Sequence, residues 1–270
     1  MRISIGHVSR YTYGEPAHYS IQTLRLTPPS FDGQRVIDWV ISAPGINTAT
    51  RFRDGYGNQA HLVAFSGEHS ENVVIARGTI ETENRAGIVR GMVETAPLRL
   101  YLRETIKTRA GKAIQDLAQS VDAGQGLKKL HSLMNAVRDA VDYQIGETSE
   151  HTSAEEALAH GRGVCQDHAH IFIAAARHLG TPARYVNGYF ASGSDEPSEA
   201  HHAWAEVWID DLGWVGFDPA NLICPTDRYV RLANGLDATY AAPISGTRRG
   251  GAKEALDVIV EVQQQTSQQQ

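Results

Sequence analysis

Gly161-Arg162-Gly163-Val164-Cys165-Gln166-Asp167-His168-Ala169-His170-Ile171-Phe172-Ile173-Ala174-Ala175-Ala176-Arg177-His178-Leu179-Gly180-Thr181-Pro182 is the run that separates the two halves of the chain. From Val164 to Leu179 it is apolar almost all round, and a helix of that kind is buried in a core. Gly180 is placed to cap its C-terminus, and Pro182 blocks any continuation. Cys165 opens the helix. A thiol there feels unpaired backbone N–H groups and the positive end of the helix dipole, both of which favour thiolate. The same N–H groups point where an oxyanion would form. Gly161 and Gly163 are expected to let the backbone approach a substrate closely. The plain alternative for Cys165 is a buried cysteine packing as a small hydrophobe.

Strand patterns follow the helix: 183–190, 202–209 and 213–218. On the second, His202, Trp204, Glu206 and Trp208 share one face; on the third, Trp214, Gly216 and Asp218 do. Asp211-Leu212-Gly213 reads as the turn of a hairpin. With even residues opposite even residues, Asp218 lies beside Trp204 or Glu206, near His202. A carboxylate there can hold the imidazole in one tautomer and stabilise its charged form. Gly216 is expected to leave room for that contact. The competing readings are a surface histidine and an Asp-Pro turn starter, since Pro219 follows Asp218. The tryptophans read as core, and Glu206 as a satisfied structural carboxylate. The polar, Gly/Pro-containing segment 191–199 reads as a mobile loop of flap type.

Toward the N-terminus, residues 1–97 show many short strand patterns separated by Pro28-Pro29, Asp32-Gly33, Pro44-Gly45 and Asp54-Gly55. This predicts a β-sandwich-like module that acts as scaffold or substrate presenter. Helix formers run from Leu98 to Leu117, and Leu127, Leu130, Leu133, Met134 and Val137 recur at helical spacing. Ser153-Ala154-Glu155-Glu156 matches a capping box. A last strand is expected over Leu256–Val262. The chain therefore divides into a strand-rich module (1–97), an α+β core with helices packed on an antiparallel sheet (98–262), and a disordered glutamine-rich tail (263–270).

Composition narrows the function. The chain has 270 residues, 41% hydrophobic and 21% charged, with net charge −6. That balance gives no electrostatic reason to expect nucleic acid or an anionic membrane as partner. There is no signal-peptide pattern and no run of about 18 apolar residues. Two cysteines, Cys165 and Cys224, exclude a disulfide scaffold and point to a reducing, cytoplasmic setting. Cys165, His168, His170, His201, His202 and Cys224 are all metal-competent, but their spacing lacks the tight pairs of a zinc site. Neither metal nor cofactor is expected, and no EF-hand-like acidic loop is present.

Three blocks taken together, Gly161–Asp167, His202-Ala203-Trp204-Ala205-Glu206 and Gly213-Trp214-Val215-Gly216-Phe217-Asp218-Pro219, resemble the transglutaminase-like superfamily in order and spacing. The likeness covers roughly residues 100 to 245. Residues 1–97 resemble the N-terminal module of its bacterial members, with weaker motifs. The resemblance implies a papain-like core and a Cys-His-Asp triad. Cys165 would be nucleophile, His202 general base and acid, and Asp218 the orienting carboxylate, while His201 is not assigned the role. Many bacterial members carry an aromatic residue where this chain has His168. The implied function is thiol-dependent acyl transfer or hydrolysis at amide bonds of a peptide or protein, through a thioester. The alternative is a non-catalytic interaction module of the same fold.

Overall fold

The structure is a computed structural model and describes residues 1–121, 124–192 and 201–265. The strands are β1 (Arg2–Leu24), β2 (Gln34–Ser42), β3 (Thr50–Arg53), β4 (Gln59–Thr82) and β5 (Ile88–Val89) before the helices. The helices are α1 (Lys112–Ser120), α2 (Leu127–Ala140), α3 (Ala154–His160) and α4 (Cys165–His178). Two short strands, β6 (Asp142–Tyr143) and β7 (Arg162–Gly163), lie among them. Then come β8 (Ala183–Phe190), β9 (His201–Ile209), β10 (Gly213–Phe217), β11 (Tyr229–Gly235), β12 (Ile244–Gly250) and β13 (Glu254–Gln264).

The N-terminal module is one antiparallel sheet whose principal order is β12-β1-β4-β2. β13 pairs with β1 along Ile3 to Tyr13, so the end of the chain returns to complete this sheet. The expected tail therefore begins later than residue 263: Gln263 and Gln264 pair with Ser4 and Ile3. The tail's last residues, 266–270, lie outside the described residues. The second layer facing this sheet is supplied by the core, where Ile3, Ile5, Val74 and Ile80 pack against Tyr189, Val230 and Leu232.

The core sheet has the order β11-β8-β9-β10-β5. Alternation sends Ala203, Ala205, Val207, Val215 and Phe217 to one face, where they pack on Ile171, Phe172, Ala175 and Ala176 of α4. The other face carries Trp204, Glu206 and Trp214 toward the N-terminal module. The sheet is thus covered on both faces, which explains why all seven residues of β11 are buried. α4 is wrapped by α1, α2 and α3 as well as by the sheet. Helices so arranged leave few exposed positions, and 12 of the 14 residues of α4 are buried.

Local signals hold at α3 and α4. Ser153 Oγ accepts from the N–H of Glu156, whose carboxylate accepts from the Ser153 N–H at 2.8 Å, closing the capping box. Gly180 takes φ 77° just past α4, with its N–H on the Arg177 carbonyl at 2.9 Å. The helix expected from Leu98 is shorter than its composition suggests. Leu98–Leu102 form a single 3-10 turn, and α1 begins only at Lys112. Tertiary demand overrides propensity there: the Tyr101 carbonyl accepts from the buried Arg177 guanidinium at 3.0 Å. No helix among the described residues is long and apolar enough to cross a membrane.

Candidate active site

The site begins at the mouth of α4. Asp167 reaches back so that its Oδ2 accepts from the Val164 N–H at 2.8 Å and from Thr148 Oγ1 at 2.7 Å. The Asp167 and His168 N–H groups bond to the Val164 carbonyl. Among the described residues no acceptor meets the N–H groups of Cys165 and Gln166, so these first-turn donors remain free. Cys165 is 8% exposed.

The two glycines before it serve the helix rather than a substrate. Gly161 is the left-handed C-cap of α3, at φ 66°. A Cβ on Gly163 would stand 2.7 Å from Asp167 Oδ2, so glycine makes room for the capping carboxylate. Gly216 likewise makes room for Pro225, which a Cβ would meet at 2.8 Å, and not for the histidine–carboxylate contact.

His202 comes from β9. The β9–β10 register pairs Glu206 with Gly216 and Ala205 with Phe217, the even-with-even arrangement, and continues toward Asp218 beside Trp204. His202 Nε2 donates to Asp218 Oδ2 at 2.7 Å. With Nε2 so engaged, Nδ1 is the ring nitrogen left to face the thiol, and Cys165 is a close enough neighbour to act on the imidazole's proton affinity. The three residues singled out from the sequence, Cys165, His202 and Asp218, are brought together. Burial works against the imidazolium, but the hydrogen bond to Asp218, that carboxylate's charge and the neighbouring Cys165 outweigh it. The His202 pKa is raised to about 10. Burial also opposes ionisation of Asp218, yet its donors win and its pKa is lowered.

Those donors extend beyond the sequence reading. Tyr229 Oη donates to Asp218 Oδ2 at 2.6 Å, and Asn221 Nδ2 donates to the same oxygen at 2.8 Å. Oδ1 accepts from the N–H groups of Ala220 and Asn221 at 3.1 and 3.3 Å. Asp218 is therefore both turn starter and histidine partner, one oxygen for each task. Asn221 has a sequence signal in retrospect, three residues past Asp218 in that turn. Tyr229 has none, since β11 is two strands away from β9 in the sheet. Phe190, Trp204 and Tyr229 frame the His202 ring at centroid distances of 5.4, 6.4 and 5.8 Å.

The other candidates lie apart. His168 Nδ1 and Nε2 meet the Val164 and Val141 carbonyls at 2.9 and 3.0 Å, binding α4 to the end of α2. His170 Nε2 accepts from the Ala238 N–H at 3.1 Å, and burial lowers its pKa to about 3. His201 packs between the modules, its ring 5.9 Å from that of His7. Cys224 is half-buried and unpaired, with burial raising its thiol pKa. Glu206 is fully buried between Arg184 and Arg231, at 2.6 and 2.8 Å. It lines a small inter-module crevice together with Trp204, Tyr229 and Gln34. No group of three or more His, Cys, Asp or Glu is gathered for a metal ion among the described residues. The flap expected at 191–199 lies, from residue 193 onward, outside the described residues.

A cysteine at the mouth of a buried helix, facing a histidine on the antiparallel sheet beneath, is the framework of papain-like thiol proteins. Comparison with known families places the chain more closely. Residues 115–219 match the transglutaminase-like superfamily core, and residues 3–81 match the bacterial transglutaminase-like N-terminal region. An uncharacterised protein of Mycobacterium leprae is 30% identical over 97% of this chain and 98% of its own length. A candidate cysteine protease from Cytophaga hutchinsonii has the same fold, with TM-score 0.75 and 21% identity over 97% of this chain and 90% of the other. A protein-glutamine gamma-glutamyltransferase of Pseudomonas aeruginosa is 30% identical over 33% of this chain and 15% of its own length. The chain belongs to the transglutaminase-like superfamily.

Proposed function

We propose that the protein breaks amide bonds of peptides or proteins by acyl transfer to Cys165, with His202 and Asp218 completing a catalytic triad. The observation that carries this reading is the His202–Asp218 hydrogen bond, with Cys165 a neighbour that acts on the imidazole and free N–H donors beside the sulfur. In the reactive form Cys165 has given its proton to His202, whose pKa near 10 favours the imidazolium. The sulfur attacks the amide carbonyl carbon, and the C=O electrons move onto oxygen. The free Cys165 N–H faces that developing charge. Imidazolium gives its proton to the departing nitrogen, the C–N bond breaks, and a thioester remains. His202, now neutral, takes a proton from water or an amine as it attacks the thioester, and the thiolate leaves. Asp218 holds one tautomer throughout and stays ionised. Water as acceptor makes the enzyme a peptidase or deamidase; an amine makes it a transglutaminase.

Labelling with iodoacetamide at neutral pH tests the triad. Cys165 is expected to react far faster than Cys224, and far faster than Cys165 in His202→Ala. Equal, slow labelling of both cysteines would instead support a non-catalytic interaction module. Mass spectrometry after incubation with a peptide library, with and without added amine, is expected to trap a thioester on Cys165 and to show which acceptor resolves it.

A further inference from the structure

On β8, beside the strand that carries His202, stands a buried carboxamide that the chemistry above does not use. Asn187 is 6% exposed, and its Oδ1 is buried with no hydrogen-bond partner. An orphaned buried acceptor costs free energy in the unliganded protein, and a native fold keeps few of them.

Register locates this side chain. Asn187 pairs with Ala203, and the next pair along is Gly188 with His202. Asn187 shares its face of β8 with Tyr185, which packs in one cluster with Cys165 and Ala203. α4 and β8 run past each other in opposite directions. At one end Arg177 donates to the Ala183 carbonyl at 2.8 Å. Further along, the rings of His170 and Tyr185 are 5.0 Å apart. Two more strand residues advance about 7 Å. At about 1.5 Å per helical residue, that distance leads back from His170 to the first turn of α4. Asn187 therefore comes abreast of the Cys165 end of the helix, one strand from His202.

We infer that Asn187 is a specificity-determining residue that binds the acyl donor through a main-chain amide adjoining the reacting carbonyl. The inference rests on the acyl-transfer reading and deepens it by naming the residue that recognises the peptide unit next to the reacting carbonyl. A carboxamide offers an acceptor and donors, and a peptide unit supplies the complementary N–H and C=O. The unpaired Oδ1 takes the peptide N–H. A site built to meet such a group rejects analogues that lack it, because its own polar atom then stays unpaired.

The test uses acetyl-Gly-Gly chloromethyl ketone and the same reagent N-methylated at both amides. Alkylation of Cys165 is followed by mass spectrometry and separated into the reversible constant KI and the rate kinact. In the wild-type protein, KI is expected to be about tenfold weaker for the methylated reagent, with kinact nearly unchanged. Asn187→Leu and Asn187→Ala are expected to bind both reagents with the same weak KI. Their reaction with methyl methanethiosulfonate, too small to use a peptide subsite, is expected to match wild type, which reports that fold and triad are intact. Equal KI for both reagents in the wild type, or a preference that survives in both variants, would overturn the inference. Failure of Cys165 to outpace Cys224 with every reagent would overturn the acyl-transfer reading itself, and Asn187's role with it.

Discussion

Tyr229 and His202 donate to the same carboxylate oxygen, Asp218 Oδ2, at 2.6 and 2.7 Å. Donors that share an acceptor compete for its electron density. The phenol thus weakens the hold of Asp218 on the imidazole while it keeps the buried carboxylate ionised. In Tyr229→Phe, the His202–Asp218 bond strengthens and the His202 pKa rises further. NMR titration of the His202 ring, assigned by comparison with His202→Ala, is expected to show an upward shift. Loss of a hydrogen bond to a buried charge is expected to cost about 1.5–3 kcal/mol in urea unfolding. A His202 pKa that stays put or falls would mean that Tyr229 only packs.

Asp218→Asn removes the orienting charge but retains the shape of the side chain. If the carboxylate fixes the tautomer, turnover is expected to fall by about three to four orders of magnitude, a loss of the size measured where such a carboxylate supports a catalytic histidine. The His202 pKa should fall at the same time, because its main raising partner is gone. Unchanged labelling of Cys165 by iodoacetamide across neutral pH in this variant would remove Asp218 from the triad.

The site also sets a pH window for stability. Folding raises the His202 pKa from 6.5 to about 10. The folded state then holds a proton that the unfolded state releases, so this contribution is whole below pH 6.5 and is lost as pH rises toward 10. The stability difference between wild type and His202→Ala is expected to shrink across that range, by up to about 1.4 kcal/mol per pH unit. The partners at the module interface act in the opposite sense. Burial, followed by the neighbouring histidine charge, lowers His7 to about 3 and His201 to about 4. Their contribution is whole above pH 6.5 and is lost as pH falls toward those values. His201→Gln is expected to flatten the acid limb between pH 6.5 and 4, read from chemical denaturation at each pH. An acid limb of unaltered slope would assign acid lability elsewhere.

How far the sequence disclosed this site follows from distance along the chain. Period-two alternation carries one strand reliably, so the sequence alone places His202 and Asp218 on neighbouring strands. The helix-mouth position of Cys165 was legible from Gly-rich punctuation and the apolar run after it. Tyr229 and Asn187 were not, because the order β11-β8-β9-β10-β5 decides which strands flank β9, and no local pattern encodes that order. The glycines misled for a related reason: what each missing Cβ makes room for is a partner such as Asp167 or Pro225, visible only after packing. In the N-terminal module the short strand patterns join: Gln59–Thr82 is one strand, β4, because β1 pairs with it almost end to end through register shifts near Ala17. The Leu98–Leu117 run shows composition yielding to the needs of Arg177.

Glu206 gives the sharpest separation of scaffold from chemistry. It sits two residues along the face from Trp204, fully buried, and its charge is held by Arg184 and Arg231. Arg184 is itself paired with Glu94 and stacked over Trp214 at 3.9 Å. Burial opposes ionisation, but the two guanidinium groups outweigh it and lower the Glu206 pKa to about 2. Glu206→Gln leaves two buried cations without their shared anion, a change that typically costs about 3–5 kcal/mol. The melting temperature is expected to drop accordingly. Because Glu206 touches none of Cys165, His202 and Asp218 through a hydrogen bond or ion pair, the folded fraction should label at Cys165 with wild-type kinetics below the new transition. A variant that melts normally but labels slowly would reverse the assignment and move Glu206 into the machinery around His202.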